Sequence, residues 1–384
     1  MDFRLSDEQK MLKESARDFL RTECPSNFVR AMEKDPQGIT PELWRKMAEL
    51  GWMGIVFPET YGGIGGEFLD LVFLLEEMGR FCLPGPFFST VVLGGMAILE
   101  GGTEDQKEKY LPKIAEGQMF ATLAHIEPGM TQYDPYLISV SAHRQGDGHR
   151  IDGIKLFVPD AHLAHCLVTV ARTEGKGREQ RGITLFLVDG QSPGITRIPL
   201  STVARDKQFE VRFENVRVPA GNTLGELHGG APILEKTLQR AALAKCAEMV
   251  GGAQFVLDMC VAYAKEREQF GRKIGTFQAV QHHCANMLIH LEGSRYITYK
   301  AAWMMGKGLS SNRWVAVAKA WVSESYKRIA ALGHQIMAGT GYMEEHDMPL
   351  YSRRAKAAEF VFGDAQYYRK RMAEEMGLIE GPLP

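Results

Sequence analysis

The sequence predicts an α+β protein, mostly α, in which an N-terminal helical domain (1–118) precedes a middle β-domain (119–226) and a C-terminal four-helix bundle (227–384). Three observations predict it. Helix start and stop signals fill the chain up to about residue 118, a period of two takes over between about 119 and 226, and apolar residues then return at helical spacing in long runs. At 384 residues the chain also exceeds what one compact core serves, so two or three packed units are expected.

In the first stretch, Ser6 with Gln9 forms a capping box before "QKMLKESARDFL", Thr40-Pro41 opens "ELWRKMAELG", and Thr103 with Gln106 opens "KEKYLPKIAEG". The last two close on Gly51 and Gly117, and "FPETYGGIGGEF" between them reads as a glycine-rich loop. In the second stretch, "YLISVSAHR", "HRIDGIKLFV", "HCLVTVART", "GITLFLVDG" and "FEVRFENVRV" alternate or run apolar between turn signals. The charged segment "TEGKGREQRG" reads as a solvated hairpin tip. In the third, apolar residues at 234, 238, 242, 246, 249, 253, 256, 260 and 264, and again from Phe277, Val315 and Ala355, give four long helices with short connections.

Composition excludes several function classes. The chain is 45% hydrophobic and 24% charged with net charge −2, so no basic surplus points to nucleic acid. No run approaches the roughly 18 apolar residues of a membrane span. The six cysteines, Cys24, Cys82, Cys166, Cys246, Cys260 and Cys284, lack paired ligand spacing and follow no secretory leader, which reads as reduced thiols in a cytoplasmic protein. His282-His283 makes a poor metal pair, because adjacent helical residues point about 100° apart.

Four local signatures, in order, resemble the acyl-CoA dehydrogenase family: "FPETYGGIGG" (57–66), "HIEPG" (125–129), "REQFGRKIGTFQAVQ" (267–281) and "HQIMAGTGYMEEHDMPLYSRRAK" (334–356). The resemblance covers nearly the whole chain. It implies the three-domain fold above, usually a tetramer, with FAD held between subunits. It also implies oxidation of an acyl-CoA thioester: a carboxylate removes the α-proton while the β-hydrogen leaves as hydride to the flavin, whose electrons pass to an electron-transfer flavoprotein or similar acceptor. Such a site needs a base within hydrogen-bond reach of the α-carbon and donors for the developing enolate in a water-poor pocket.

Carried over by motif, Arg267 and Phe270 on one helix, Gln278 at the start of the next, Gln335 with Gly339, and Phe157 with Val158 would contact FAD. The forked donors of an arginine suit a pyrophosphate, and a glycine lets backbone approach closely. Taken alone, Arg267 reads as a cation at the C-terminal end of a helix closing near Phe270, but the neighbouring "FG" and "FQ" favour the flavin; Gln335 and Gly339 have a plain helix ending as their alternative.

In the family pattern resembled by 353–366, a glutamate directly precedes the glycine and acts as catalytic base. Phe362 occupies that position, and a second position used by some members aligns with Ala241. Asp364, two residues on, is the candidate base left on this turn. It also opens "AQYYRKRMAEEM" as a good N-cap, and the two roles compete, because a carboxylate bonded to amides is a poorer base. Pro159 stands where a donor to the flavin ring is expected, and the loop "GMTQYDPY" lacks the usual small phosphate-contacting run. Arg240 lies two residues before the position, now Ala242, where an arginine is common. Glu248, His282, His283, Glu344, Glu345, Asp347 and Glu359 are further acids and histidines on the bundle or its turns.

Two functions lead, ahead of an acyl-CoA oxidase activity, which needs an oxygen access the sequence does not show. One is an FAD-dependent acyl-CoA dehydrogenase with an atypical base, acting on a branched, cyclic or steroid-derived acyl group. The other is a catalytically silent subunit of a heteromeric dehydrogenase, homo- and hetero-oligomers (dimer or tetramer) both being compatible with the sequence.

Overall fold

A computed structural model describes residues 5–130 and 132–379. It divides into two compact units. The first comprises residues up to Ala31, Glu67–Leu83 and the segment from Ala242 onward, and the second Met32–Gly66 and Pro84–Ala241.

The first unit is helical. Helix α1 (Asp7–Glu23) starts on Ser6, with both arms of the expected capping box formed with Gln9. Helix α2 (Ser26–Lys34) follows, α3 (Pro41–Glu49) belongs to the second unit, and the first unit continues with α4 (Phe68–Arg80). Sequence reasoning missed α4 because "FLDLVFLLEEMGR" is apolar almost all round and nine of its residues are buried, which erases the amphipathic signal. Its packing against α7 (Ala231–Glu266) depends on two glycines at close backbone approach. A Cβ on Gly79 would lie 2.0 Å from the Glu248 carbonyl oxygen, and one on Gly251 1.8 Å from that of Glu76.

Two buried acids on α4 hold the neighbouring helices. Glu77 accepts two bonds from Arg17 at 2.7 and 3.0 Å, and Glu76 pairs with Lys13 at 2.9 Å and with Arg295 at 3.4 Å.

The remaining helices are α8 (Gln278–Gly306), α9 (Asn312–Met337), α10 (Met348–Phe360) and α11 (Ala365–Glu375). The expectation of four long helices is therefore corrected: three are long, and the fourth is two shorter helices broken at 361–364. A second correction concerns Arg267 and Phe270, which are not helical. Helix α7 ends at Glu266, and a two-stranded hairpin follows, β9 (Glu268–Gln269) against β10 (Arg272–Lys273), with Phe270 and Gly271 at its tip at φ 55° and 76°. Two successive left-handed residues are what a two-residue hairpin demands.

The second unit holds α3, capped by Thr40 with Pro41 in its first turn. It also holds a π-helical segment (Phe88–Gly95), α5 (Met96–Gly101), α6 (Glu104–Ala115) with its capping box, and an eight-stranded sheet. The strands are β1 (Ala121–Ala124), β2 (Ser141–Gln145), β3 (Gly148–Pro159), β4 (Cys166–Arg172), β5 (Ile183–Asp189), β6 (Ile195–Leu200), β7 (Gln208–Pro219) and β8 (Thr223–Leu224). Their order is β6-β7-β3-β2-β4-β5-β8, with β1 added parallel to β4.

Five of the eight correspond to the alternating runs read from the sequence. The expected strand "YLISVSAHR" begins only at Ser141, and the short β1, β6 and β8 carried too little pattern to be seen. Strands β4 and β5 are apolar on both faces and buried along nearly their whole length, whereas β7 alternates. The charged tip "TEGKGREQRG" is organised from below by Arg172, whose guanidinium donates to the carbonyls of Glu174, Gly177, Glu179 and Arg181 and to those of Tyr136 and Ile138.

Candidate functional site

Two groups of residues singled out by sequence can be built from the chain upward, one in each unit.

In the second unit, Phe157 and Val158 end β3 at a bulge, where the register against β7 shifts between Lys155 and Val158. An extra residue in one strand re-aims a side chain. Here it turns Phe157 out to 54% exposure at φ 50°, while Val158 is fully buried in the sheet's core. Only the backbone of Val158 is therefore left for a ligand. Pro159, without an N–H, accepts at its carbonyl from the Thr122 hydroxyl at 2.7 Å. Asp160 follows at φ 51° and accepts a bond from Ser89 at 2.6 Å.

Beneath the bulge Lys155 is wholly buried. Its ammonium donates to Glu127 Oε1 at 2.5 Å and to the His125 carbonyl at 3.1 Å. Glu127 also accepts from the Ser139 amide at 2.7 Å, the Ser139 hydroxyl and the Val140 amide at 3.1 Å, so "HIEPG" is tied to the start of β2. Burial pushes Lys155 down to about 8 although Glu127 opposes it, and burial pushes His125 down to about 4. Of the loop "GMTQYDPY", Thr131 lies outside the described residues.

In the first unit, Arg267, Phe270, Gln278, Gln335 and Gly339 are all exposed. Gln278 opens α8 as expected, and Gln335 lies in the last turn of α9. Phe270 is 93% exposed and meets Phe277 edge-on, with ring centroids 6.2 Å apart, while the Arg272 guanidinium sits 4.2 Å over the Phe277 ring. Gly339 follows Ala338, which has φ 51°, and a Cβ on Gly339 would meet nothing within 4 Å. Arg267 forms no ion pair among the described residues. Open space, an uncommitted cation and a bare aromatic fit a flat, anionic cofactor such as FAD.

The break between α10 and α11 is the most constrained part of this group. Phe362 has φ 60° and Gly363 φ 101°. A bulky residue in the left-handed region costs about 1–3 kcal/mol and persists only where its surroundings over-determine it. Here the Tyr368 hydroxyl donates to the Phe362 carbonyl at 2.8 Å, the Gly363 amide donates to the Phe360 carbonyl at 3.2 Å, and Asp364 Oδ1 accepts from the Tyr367 amide at 2.8 Å. Asp364 is thus the N-cap of α11.

Three of the other acids singled out on the bundle are engaged in ion pairs. Glu359 pairs with Lys327 at 2.6 Å and Lys356 at 2.9 Å, Asp347 with Arg30 at 2.8 Å, and Glu248 with Lys245. No group of three metal-ligating side chains occurs among the described residues.

Among the described residues nine non-glycine residues have positive φ, and five of them, Phe157, Asp160, Phe270, Ala338 and Phe362, lie on or beside segments chosen from sequence. Sequence reasoning did not single out Asp160 or Ala338. Aspartate is enriched at positive φ without being confined to it and alanine is not enriched, so residue type gives a weak signal for Asp160 and none for Ala338.

Comparison with known proteins decides what this geometry belongs to. Three family models match in succession: acyl-CoA dehydrogenase N-terminal domain over residues 6–118, middle domain over 123–216 and C-terminal domain over 228–377. The chain belongs to the acyl-CoA dehydrogenase family. It is 33% identical over 383 residues to Probable acyl-CoA dehydrogenase YngJ of Bacillus subtilis, covering 98% of this chain and 100% of that one. It is 32% identical over 372 residues to cyclohex-1-ene-1-carbonyl-CoA dehydrogenase of Geobacter metallireducens, covering 95% and 97%. It also superposes on a chain of the ChsE4-ChsE5 complex from Mycobacterium tuberculosis with TM-score 0.90 and 26% identity, covering all of both chains.

As a member of this family the chain is an FAD-dependent oxidoreductase acting on acyl-CoA. No described helix is long and apolar enough to cross a membrane. Set against the acyl-CoA dehydrogenase pattern, Ala241 and Ala242 are fully buried in α7, and the nearby Arg240 is committed to Glu100 at 2.9 Å.

Proposed function

We propose that the protein dehydrogenates an acyl-CoA thioester across its α,β-bond in the cytoplasm, with a base other than the glutamate usual in the family and with a branched, cyclic or steroid-derived acyl group. The observation that carries the reading is the 361–364 turn. Three hydrogen bonds hold it around a strained Phe362, and in the sequence pattern that residue stands in place of the family's glutamate, which supports an atypical base. An apolar ring there gives up a proton acceptor and supplies a wall for a bulky acyl group. The named likeness to a cyclohexene-carbonyl-CoA dehydrogenase agrees with a cyclic substrate.

FAD, when bound, would take the β-hydrogen as hydride. Arg267 would offer its forked donors to the pyrophosphate and Phe270 an apolar face. Gln278 and Gln335 would offer amide groups, and the open space at Gly339 would admit the cofactor close to the backbone. Phe157, turned out by the bulge in β3, would pack against the ring system, and Pro159 removes one donor to it. An electron-transfer flavoprotein or similar acceptor would reoxidise the enzyme, which we place in a dimer or tetramer covering Phe270.

Asp364 serves as cap rather than base in this reading. Asparagine caps as well as aspartate, so Asp364→Asn is expected to keep both thermal stability and turnover. A fall in turnover of about a hundredfold or more at unchanged stability would assign the base to Asp364 instead.

A second reading is favoured by the exposed cofactor residues together with the likeness to a two-component complex: a silent subunit that completes a partner's site. Purification separates the two. One FAD per chain supports the dehydrogenase, and flavin-free chain, or half occupancy beside a second polypeptide, supports the silent subunit.

A further inference from the structure

Lys319 lies on α9 at the apolar spacing Val315, Lys319, Val322, Tyr326, and all four are buried. Its side chain is fully buried, and no carboxylate pairs with it among the described residues. An isolated buried ammonium is expensive unless its donors are satisfied. Here they are. Nζ donates to the carbonyls of Ala358 at 3.1 Å, Glu359 at 3.3 Å and Gly363 at 2.9 Å, and to the Ser323 hydroxyl at 3.0 Å.

Three of these acceptors are main-chain oxygens on either side of the strained Phe362: two at the end of α10, where carbonyls lack helical partners, and one just before α11 begins. A single cation on a third helix therefore spans the break between two others. Burial pushes Lys319 down to about 8, and the nearby Cys246, Lys245, Asp364 and Glu359 modify that shift from α7 and the turn.

We propose that Lys319 is the positioning residue of the 361–364 turn, its ammonium fixing where the Phe362 ring projects. The functional half of this inference rests on the reading above that the turn faces the acyl chain. A neutral aliphatic chain of similar length would fill the same space but leave the three carbonyls without their shared donor. The turn could then relax from its strained geometry while the bundle around it stays packed. Lysine on the buried face of α9 is thus used for a charge-assisted cap that neither α10 nor α11 supplies from its own sequence.

The test compares wild type, Lys319→Met and Lys319→Arg as full chains. Amide exchange is measured over 358–366 and over the rest of the bundle, together with bound FAD and the Kd for butyryl-CoA and cyclohexanecarbonyl-CoA. Lys319→Met is expected to exchange about tenfold or more faster in the turn alone, the equivalent of losing one charge-assisted hydrogen bond, with FAD retained and both thioesters bound more weakly. Lys319→Arg, which keeps the cation, should restore part of the protection.

Unchanged exchange in the turn, or faster exchange spread through the bundle with loss of FAD, would overturn the proposal. Faster exchange confined to the turn with thioester binding unaltered would leave Lys319 as its organiser and remove the reading of the turn as acyl-facing. If Lys319→Met does not fold, Lys319→Arg and Ser323→Ala decide: exchange raised in the turn alone supports the proposal, and exchange unchanged in both overturns it.

Discussion

Glu127→Gln is expected to destabilise the second unit by about 3–5 kcal/mol, the range for leaving one member of a buried ion pair without its partner. Lys155 cannot reach water from under the β3 bulge, and His125 beside it stays neutral near pH 7, because burial pushes its pKa down to about 4. The substitution therefore removes the only carboxylate that offsets the Lys155 charge among the described residues. It also replaces an acceptor of the Ser139 and Val140 amides by a group that accepts at one atom only.

Denaturant unfolding followed by circular dichroism measures the loss. Glu127→Gln with Lys155→Met should recover much of it, since the uncompensated cation is then gone. A loss below about 1 kcal/mol, the level of an exposed pair, would show that the pair is solvated and that the bulge is held some other way.

Phe362→Glu is the second large effect, and it is a gain. The substitution places a carboxylate on a turn whose geometry is already fixed by Tyr368, Asp364 and Lys319. General-base catalysis contributes about 10²–10⁴ in rate where the base is within reach of the proton. Flavin reduction by straight-chain acyl-CoA, followed by stopped flow without oxygen, should therefore accelerate by about a hundredfold or more over wild type. The substitution should also narrow the range of bulky acyl groups accepted, because the aromatic wall is lost. Retained FAD with no acceleration would mean that the ring at 362 does not face the α-carbon.

Much of this organisation is legible in the sequence, and the limits have physical causes. Caps at Ser6, Thr40, Thr103 and Asp364 are readable because one side chain satisfies amides three residues away. Alternation finds β3 and β7 but passes over β1, four residues long and buried throughout. The helix α4 escapes because its surroundings bury every face.

Site residues divide the same way. Gln278 is placed correctly by its position at a helix start, whereas Arg267 and Phe270 move from a helix to a hairpin because Gly271 takes a left-handed turn that the apolar spacing does not announce. The bulge at Phe157 depends on pairing with β7, and the shared donor at Lys319 on carbonyls 39 to 44 residues away beside Phe362. A lysine on the apolar stripe of α9 was the available signal, since a charged residue on a buried face must find partners.

The most direct measurement is an anaerobic titration of the purified protein with straight, branched and cyclic acyl-CoA thioesters, followed at the long-wavelength flavin band. One FAD per chain is expected, with bleaching by branched or cyclic thioesters in preference to straight ones. A protein without a flavin band, or with flavin that none of the thioesters bleaches, would contradict the dehydrogenase reading and leave the silent-subunit reading in its place.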